Sequence, residues 1–146
     1  MKKINIPTQF EEGSFVPFYG SDDSAGADLK AFLPEAVEIP PLERVLIPTG
    51  LRMEIPRGYE GQIRPRSGFA LKKGMTVLNS PGTIDSDYRG EIKVILINLS
   101  REPVIINNGD RIAQMIIAPV IQADFEKKED LGNTLRGSGG FGSTGV

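Results

Sequence analysis

Glycine and proline break this chain at short, regular intervals, and what lies between the breaks is too short and too β-branched for helices. The chain carries 17 Gly and 11 Pro in 146 residues. Ala36-Val37-Glu38-Ile39 and Arg44-Val45-Leu46-Ile47 flank a Pro40-Pro41 break, and Leu51-Arg52-Met53-Glu54-Ile55 alternates with period two. Tyr59-Glu60-Gly61-Gln62-Ile63 follows Pro56-Arg57-Gly58; Met75 to Leu78, Glu91 to Leu99, Val104 to Ile106 and Ile112 to Ile121 continue the series. Such spacing predicts an all-β sandwich or barrel. The run Val94-Ile95-Leu96-Ile97 is apolar at every position, which predicts a strand covered on both faces by a second sheet or a neighbouring subunit. One short helix is expected over Ser67 to Gly74, with Ser67 as N-cap, Lys72 and Lys73 in the last turn and Gly74 at C′. From Glu126 the character changes to a charge cluster, then to a Gly/Ser/Thr tail around Phe141. The expected organisation is a single domain over residues 1–146, with residues 126–146 as a flexible C-terminal arm.

Two absent residue types restrict the chemistry further. With no cysteine and no histidine, disulfides, thiolate nucleophiles, Ser-His-Asp triads and His- or Cys-ligated zinc are excluded. Zinc-dependent nucleobase deamination goes with them. Catalysis is left to carboxylates, Arg, Lys, Tyr, amides, backbone dipoles or a hard cation. A net charge of −2 and a pI near 5.2 argue against stable nucleic-acid binding. The N-terminus breaks at Asn5 and Pro7 before any apolar region develops, and no run is long enough to span a bilayer. A soluble protein of a reducing compartment is expected.

Several segments hold groups that suit a small polar ligand. Asn79-Ser80-Pro81-Gly82-Thr83-Ile84-Asp85-Ser86-Asp87-Tyr88-Arg89-Gly90 places a carboxamide, a carboxylate and a phenol around turn residues, and should protrude as a loop or hairpin. Read alone, the segment favours a solvated surface loop over a binding loop. Arg64-Pro65-Arg66-Ser67-Gly68 brings two guanidinium groups to a helix start, as a phosphate site requires; an ordinary cap with surface arginines accounts for it as well. Arg136-Gly137-Ser138-Gly139-Gly140-Phe141-Gly142-Ser143-Thr144-Gly145 lacks the Gly-Lys-Ser/Thr ending of a P-loop. It is either a linker or an arm that orders over a ligand. Asn108-Gly109-Asp110-Arg111-Ile112-Ala113-Gln114 is a turn before a strand with Gln114 on the strand's polar side, and Asp28 lies within Ala25-Gly26-Ala27-Asp28-Leu29; each has a bland reading, solvation for Gln114 and a turn acid for Asp28.

Taken in order, these five segments resemble the motifs of the trimeric deoxyuridine triphosphatases (dUTP pyrophosphatases), from Ser24 to the C-terminus and in register. The resemblance implies a distorted β jelly roll assembled as a homotrimer, with active sites shared between subunits and the arm arriving from a neighbour. It implies hydrolysis of dUTP to dUMP and pyrophosphate, which limits uracil in DNA and supplies dUMP for thymidylate synthesis. Asp85 would be the general base that activates water for attack on the α-phosphate, with Mg²⁺ bridging the phosphates and Asp28 holding that ion through water. Arg66, Ser67, Gly68, Gln114 and Arg136 would bind phosphates. Asn79, Thr83, Ile84 and Lys93 would read uracil, Tyr88 would pack under the sugar, and Phe141 and Gly142 would cover the base. The location implied is cytoplasmic, or intracellular generally if the source is viral. Two rivals stay open: a dCTP deaminase of the same fold, in which a Pro-Gly-Phe-like sequence stands where Ser86-Asp87-Tyr88 stands here, and a catalytically silent trimer that binds nucleotide or a protein partner.

Overall fold

Eleven strands and one helix follow one another in a computed structural model that describes residues 2–142. They are β1 (Thr8–Phe10), β2 (Phe18–Tyr19), β3 (Ala27–Lys30), β4 (Val37–Ile39), β5 (Arg44–Met53), β6 (Tyr59–Arg64), α1 (Ser67–Lys73), β7 (Met75–Val77), β8 (Gly82–Ile84), β9 (Ile92–Asn98), β10 (Val104–Ile106) and β11 (Arg111–Pro119). A four-stranded sheet has the order β1-β5-β9-β7, a five-stranded sheet the order β2-β3-β11-β6-β8, and β10 pairs with β4. Neither larger sheet closes on itself, so the architecture is a jelly-roll-like sandwich and not a barrel. The final residues of the expected arm, 143–146, lie outside the described residues.

Period-two alternation builds the core. On β9, Ile92, Val94, Leu96 and Asn98 point inward and are buried, while Lys93 is exposed and Ile95 and Ile97 are half-buried. Leu29 and Ile112 come from the five-stranded sheet, and Ile47, Leu51 and Met75 join β9 from the other. Truncating one such fully buried side chain to alanine costs about 2–5 kcal/mol. Within one chain β9 is therefore fully covered on one face only. On its outer face Ile95 stands opposite Leu46 of β5, which is 53% exposed. Asn98 is the buried polar exception: its Nδ2 donates to Ile39 O at 2.9 Å and Glu102 O at 2.8 Å, and its Oδ1 accepts from the Ser100 N–H and hydroxyl.

Three local expectations change. Arg44–Ile47 and Leu51–Ile55 are not separate strands. The backbone runs through Pro48-Thr49-Gly50 as one strand with a bulge, marked by the register shift against β9 and by Gly50 at φ +70°. A left-handed residue can absorb the extra step of a bulge, and glycine does so without steric cost. Ser67 is not the N-cap of α1. Arg66 occupies that position in extended conformation without a side-chain cap bond, and Ser67 is the first helical residue. Gly74 ends the helix in left-handed conformation, as expected. Finally, the Asn79–Gly90 segment is no free-standing hairpin. It joins the paired strands β7 and β9, but on the way β8 crosses to the facing sheet and pairs with β6, Gly82 opposite Ile63 and Ile84 opposite Gly61.

Candidate active site

The central position of β11 in its sheet assembles the first cluster. Gln114 lies opposite Asp28 of β3 on one side and opposite Arg64 of β6 on the other. Two residues past Arg64, the chain turns at Pro65 and presents Arg66 back over the sheet. Arg66 Nε donates to Asp28 Oδ1 at 2.8 Å, and Arg111 Nη1 approaches Oδ2 at 3.4 Å, with the carboxylate only 15% exposed. A half-buried acid held between two guanidiniums keeps both cations oriented and leaves the cluster net positive. Gln114 Nε2 donates to Pro65 O at 2.9 Å, tying the same turn down. Gly26 makes room for this: a Cβ there would overlap the Gln114 carboxamide. Ser67 and Gly68 open α1 exposed beside Arg66. Arg66, Gly68, Lys72, Lys73 and Arg111 line a cavity of about 670 Å³, an electropositive surface of the kind that binds phosphate.

The second cluster lies on the turn after β8. Asp85 is exposed, and its carbonyl accepts the Tyr88 N–H at 3.1 Å. Tyr88 Oη donates to Glu91 O at 2.9 Å; Arg89 Nη1 donates to Ser86 O at 2.7 Å; and Arg52 Nη1 donates to Arg89 O at 3.4 Å. The turn is thus held by Tyr88 and Arg89 from within and by Arg52 of β5, and among the described residues the exposed Asp85 carboxylate has no side-chain partner. Thr83, Asp85, Ser86 and Asp87 line a cavity of about 1020 Å³ with Arg57 and Tyr59 among the opposing residues. At Tyr59, Lys2 Nζ donates to the phenol oxygen at 2.8 Å. That hydrogen bond, with the coulombic pull of the same group, holds the Lys2 ammonium above its ordinary range. Asn79 is exposed with its amide over Gly82, Ile84 is half-buried against the core, and Lys93 is exposed and paired with Glu91 at 3.5 Å.

The structure therefore groups Asp28, Arg66, Ser67, Gly68 and Gln114 in one place, and Asn79, Thr83, Ile84, Asp85, Tyr88 and Lys93 along another connection. It does not bring the two groups into one cavity. Asp85 follows Ile84, which faces Gly61, whereas Arg66 lies beyond the far end of β6; three residues of strand alone separate them by about 10 Å. Arg136, Phe141 and Gly142 join neither group. Arg136 Nε bonds within the arm, to Gly139 O at 2.8 Å, and Phe141 is wholly exposed. Residues overlooked in the sequence are Arg111, whose partner Asp28 is 83 positions away, and Glu91, whose partner Gly50 is 41 away. Neither pairing leaves a local signal. Among the described residues no three carboxylates converge on a metal-sized gap. Both Asp28 oxygens already contact arginines, so any hold this residue had on a Mg²⁺ ion would run through water and not by direct ligation. Among those residues, too, no helix is long and apolar enough to cross a membrane.

Comparison with known proteins identifies the family. The dUTPase family model matches residues 14–145. The deoxyuridine 5'-triphosphate nucleotidohydrolase of Treponema denticola is 59% identical over 143 residues, covering 98% of this chain and 99% of that protein. Its namesake from a Hydrogenobaculum species is 58% identical over 138 residues, covering 94% of this chain and 95% of the relative. Among solved structures, a mutant dUTPase of Staphylococcus bacteriophage 80alpha with dUpNHpp superposes with a TM-score of 0.86 at 24% identity, covering 99% of this chain and 100% of that one. A mutant dUTPase of phage phi11, described with a structural Mg(II) ion, gives 0.79 at 22% identity, covering 89% and 100%. At such identities the two structures speak for the fold.

Proposed function

This chain belongs to the dUTPase family and is a dUTP-hydrolysing enzyme, and from that premise we propose that Asp85 activates the water in a homotrimeric, Mg²⁺-dependent reaction. The observation that carries the reading is the separation just described. A free carboxylate on a locked turn and a guanidinium-rich pocket are both present, yet one chain keeps them apart. In a trimer the Asp85 turn of one copy faces the Arg66–Gln114 cluster of another, and the arm (residues 126–146) of a copy closes over both. The half-exposed outer face of β9, with Leu46, Ile95 and Ile97, supplies apolar surface for that assembly.

In the proposed step, water gives a proton to the Asp85 carboxylate as its oxygen bonds to the α-phosphorus. The bond from that phosphorus to the bridging oxygen breaks, and pyrophosphate leaves dUMP behind. A carboxylate is a weak base, so the gain comes from positioning and from excluding water. Arg66, Ser67, Gly68 and Gln114 hold phosphate oxygens, and Arg136 clamps the terminal one. Asp28 would hold a bound Mg²⁺ through water, and the ion would supply neutralisation of the triphosphate charge. The Asn79 carboxamide and the backbone about Thr83, Ile84 and Lys93 hydrogen-bond the uracil edge. Cytosine offers a donor where uracil has an acceptor, and leaving buried groups unpaired costs about 10⁴-fold in kcat/KM. Tyr88 under the sugar excludes a 2′-hydroxyl, while Phe141 stacks on the base and Gly142 lets the backbone approach. The proposed location is cytoplasmic, or intracellular generally if the source is viral.

The test is pyrophosphate release in Mg²⁺ from dUTP, dTTP, dCTP and UTP. The expected result is turnover of dUTP far above the other three. Equal rates on all four would end the specificity argument, and ammonia released from dCTP would assign the chain to the deaminases instead.

A further inference from the structure

Glu91 has no role in the chemistry above, yet three of its oxygens connect parts of the fold that do. Register between β5 and β9 lapses from Pro48 to Leu51, leaving Thr49 and Gly50 in the bulge without ladder partners on β9. Both are buried. The Thr49 hydroxyl donates to Ile92 O, and the Gly50 N–H donates to Glu91 Oε1 at 3.0 Å. The second carboxylate oxygen, Oε2, meets Lys93 Nζ at 3.5 Å, and the Glu91 carbonyl accepts the Tyr88 hydroxyl at 2.9 Å. The Glu91 side chain is 19% exposed against 42% for Lys93, so the carboxylate is the fixed member of that pair.

We infer that Glu91 is a positioning residue for sugar selection, fastening the end of the Asn79–Glu91 connection to the β5 bulge and so setting where the Tyr88 ring stands. The linkage is short: a bulge N–H, one carboxylate, one carbonyl, one phenol. Moving the Glu91 backbone moves the acceptor of the Tyr88 hydroxyl with it, and the ring follows. Lys93, on the opposite side of the same carboxylate, moves as well. The inference rests on the reading of Tyr88 as the residue that excludes a 2′-hydroxyl.

Two substitutions separate positioning from plain stabilisation. Glu91→Gln keeps an oxygen for the Gly50 N–H but gives up the charge and, with an amide NH2 in place of Oε2, the Lys93 contact; Glu91→Asp keeps the charge but falls one methylene short of the bulge. The readout is the ratio of kcat/KM for dUTP to that for UTP, with kcat and KM taken separately and size and thermal unfolding measured on each protein. Glu91→Asp is expected to lower the ratio about 10-fold, as a small displacement of a substrate-positioning group does, while Glu91→Gln stays within about threefold of the wild type. If Glu91→Asp does not fold, Tyr88→Phe, which keeps the ring and deletes the hydroxyl that reaches Glu91, replaces it with the same expectation. Equal losses in the Gln and Asp variants, or an unchanged ratio in both, would overturn the inference. Tyr88→Ala is the reference: an altered ratio there beside an unchanged one in Glu91→Asp overturns this inference alone. An unchanged ratio in Tyr88→Ala overturns the sugar-selection reading beneath it.

Discussion

A single methyl group at Gly26 is expected to disable the phosphate cluster from a distance. The Cβ of an alanine at that position falls 3.0 Å from Gln114 Cδ and 3.2 Å from Gln114 Cβ, and closer still to Oε1. No rotation of the glutamine moves its Cβ, so that contact asks the backbone to give by a few tenths of an ångström, while the overlap with the carboxamide asks for more. Either the side chain changes its first rotamer or the β3–β11 ladder, in which Gln114 faces Asp28, slides. A new rotamer breaks the 2.9 Å bond to Pro65 O. One net hydrogen bond plus a strained rotamer comes to roughly 1.5–2.5 kcal/mol. For a chain of this length that lowers Tm by roughly 4–8 °C at fixed protein concentration. The functional loss is larger, because the same bond steadies the turn that carries Arg66. A fall in kcat/KM for dUTP of about 10–100-fold is expected. Calorimetry and pyrophosphate release on Gly26→Ala measure both, and a Gln114→Ala background supplies the control: the overlap with the carboxamide is gone, only the 3.2 Å contact with Cβ remains, and the stability cost should shrink by more than half. An undiminished cost in that background, or full activity in the single variant, would refute the steric account.

Asp85→Asn should lower kcat by about 10³-fold or more while nucleotide binding persists; substantial turnover removes Asp85 from the role of base. Mixing Asp85→Asn chains with Arg66→Ala chains after joint refolding should restore partial activity, because some sites then draw each intact group from a different copy. Absence of any recovery argues against shared sites. Deleting residues 136–146 should reduce kcat/KM at least about 10-fold with the core's thermal unfolding unchanged, and an unaffected rate returns the tail to the status of a linker. Asn98→Ala should destabilise by about 3 kcal/mol, read by denaturant titration, since it strands two carbonyls and the Ser100 N–H at a fully buried site.

Much of the fold was legible because burial alternates locally. The periods of Val104–Ile106 and Tyr59–Ile63 need no distant partner to be read. Where pairing across the molecule decides, the same marks mislead. Pro48 and Gly50 read as a strand break, yet β9 runs past them and turns the break into a bulge. Ser67 reads as a cap, but the extended cap position falls on Arg66, whose guanidinium reaches Asp28, 38 positions away. The site divides in the same way. Its residue types stand out in the sequence, whereas Arg111, Glu91 and the distance between Asp85 and Arg66 depend on contacts dozens of positions apart.

The crossing of β8 to the facing sheet has a consequence for how this enzyme can change length. The connection from Leu78 to Glu91 is paired to β6 midway and opens onto β9 at its end, so it holds no slack. One residue added or removed within β8 would invert which of its side chains face inward, or unzip its ladder with β6. Insertions and deletions among relatives are therefore expected to gather elsewhere, in the exposed stretch Glu11–Gly13 or beyond Pro119. The span carrying the carboxylate should keep a constant residue count while its surroundings grow and shrink.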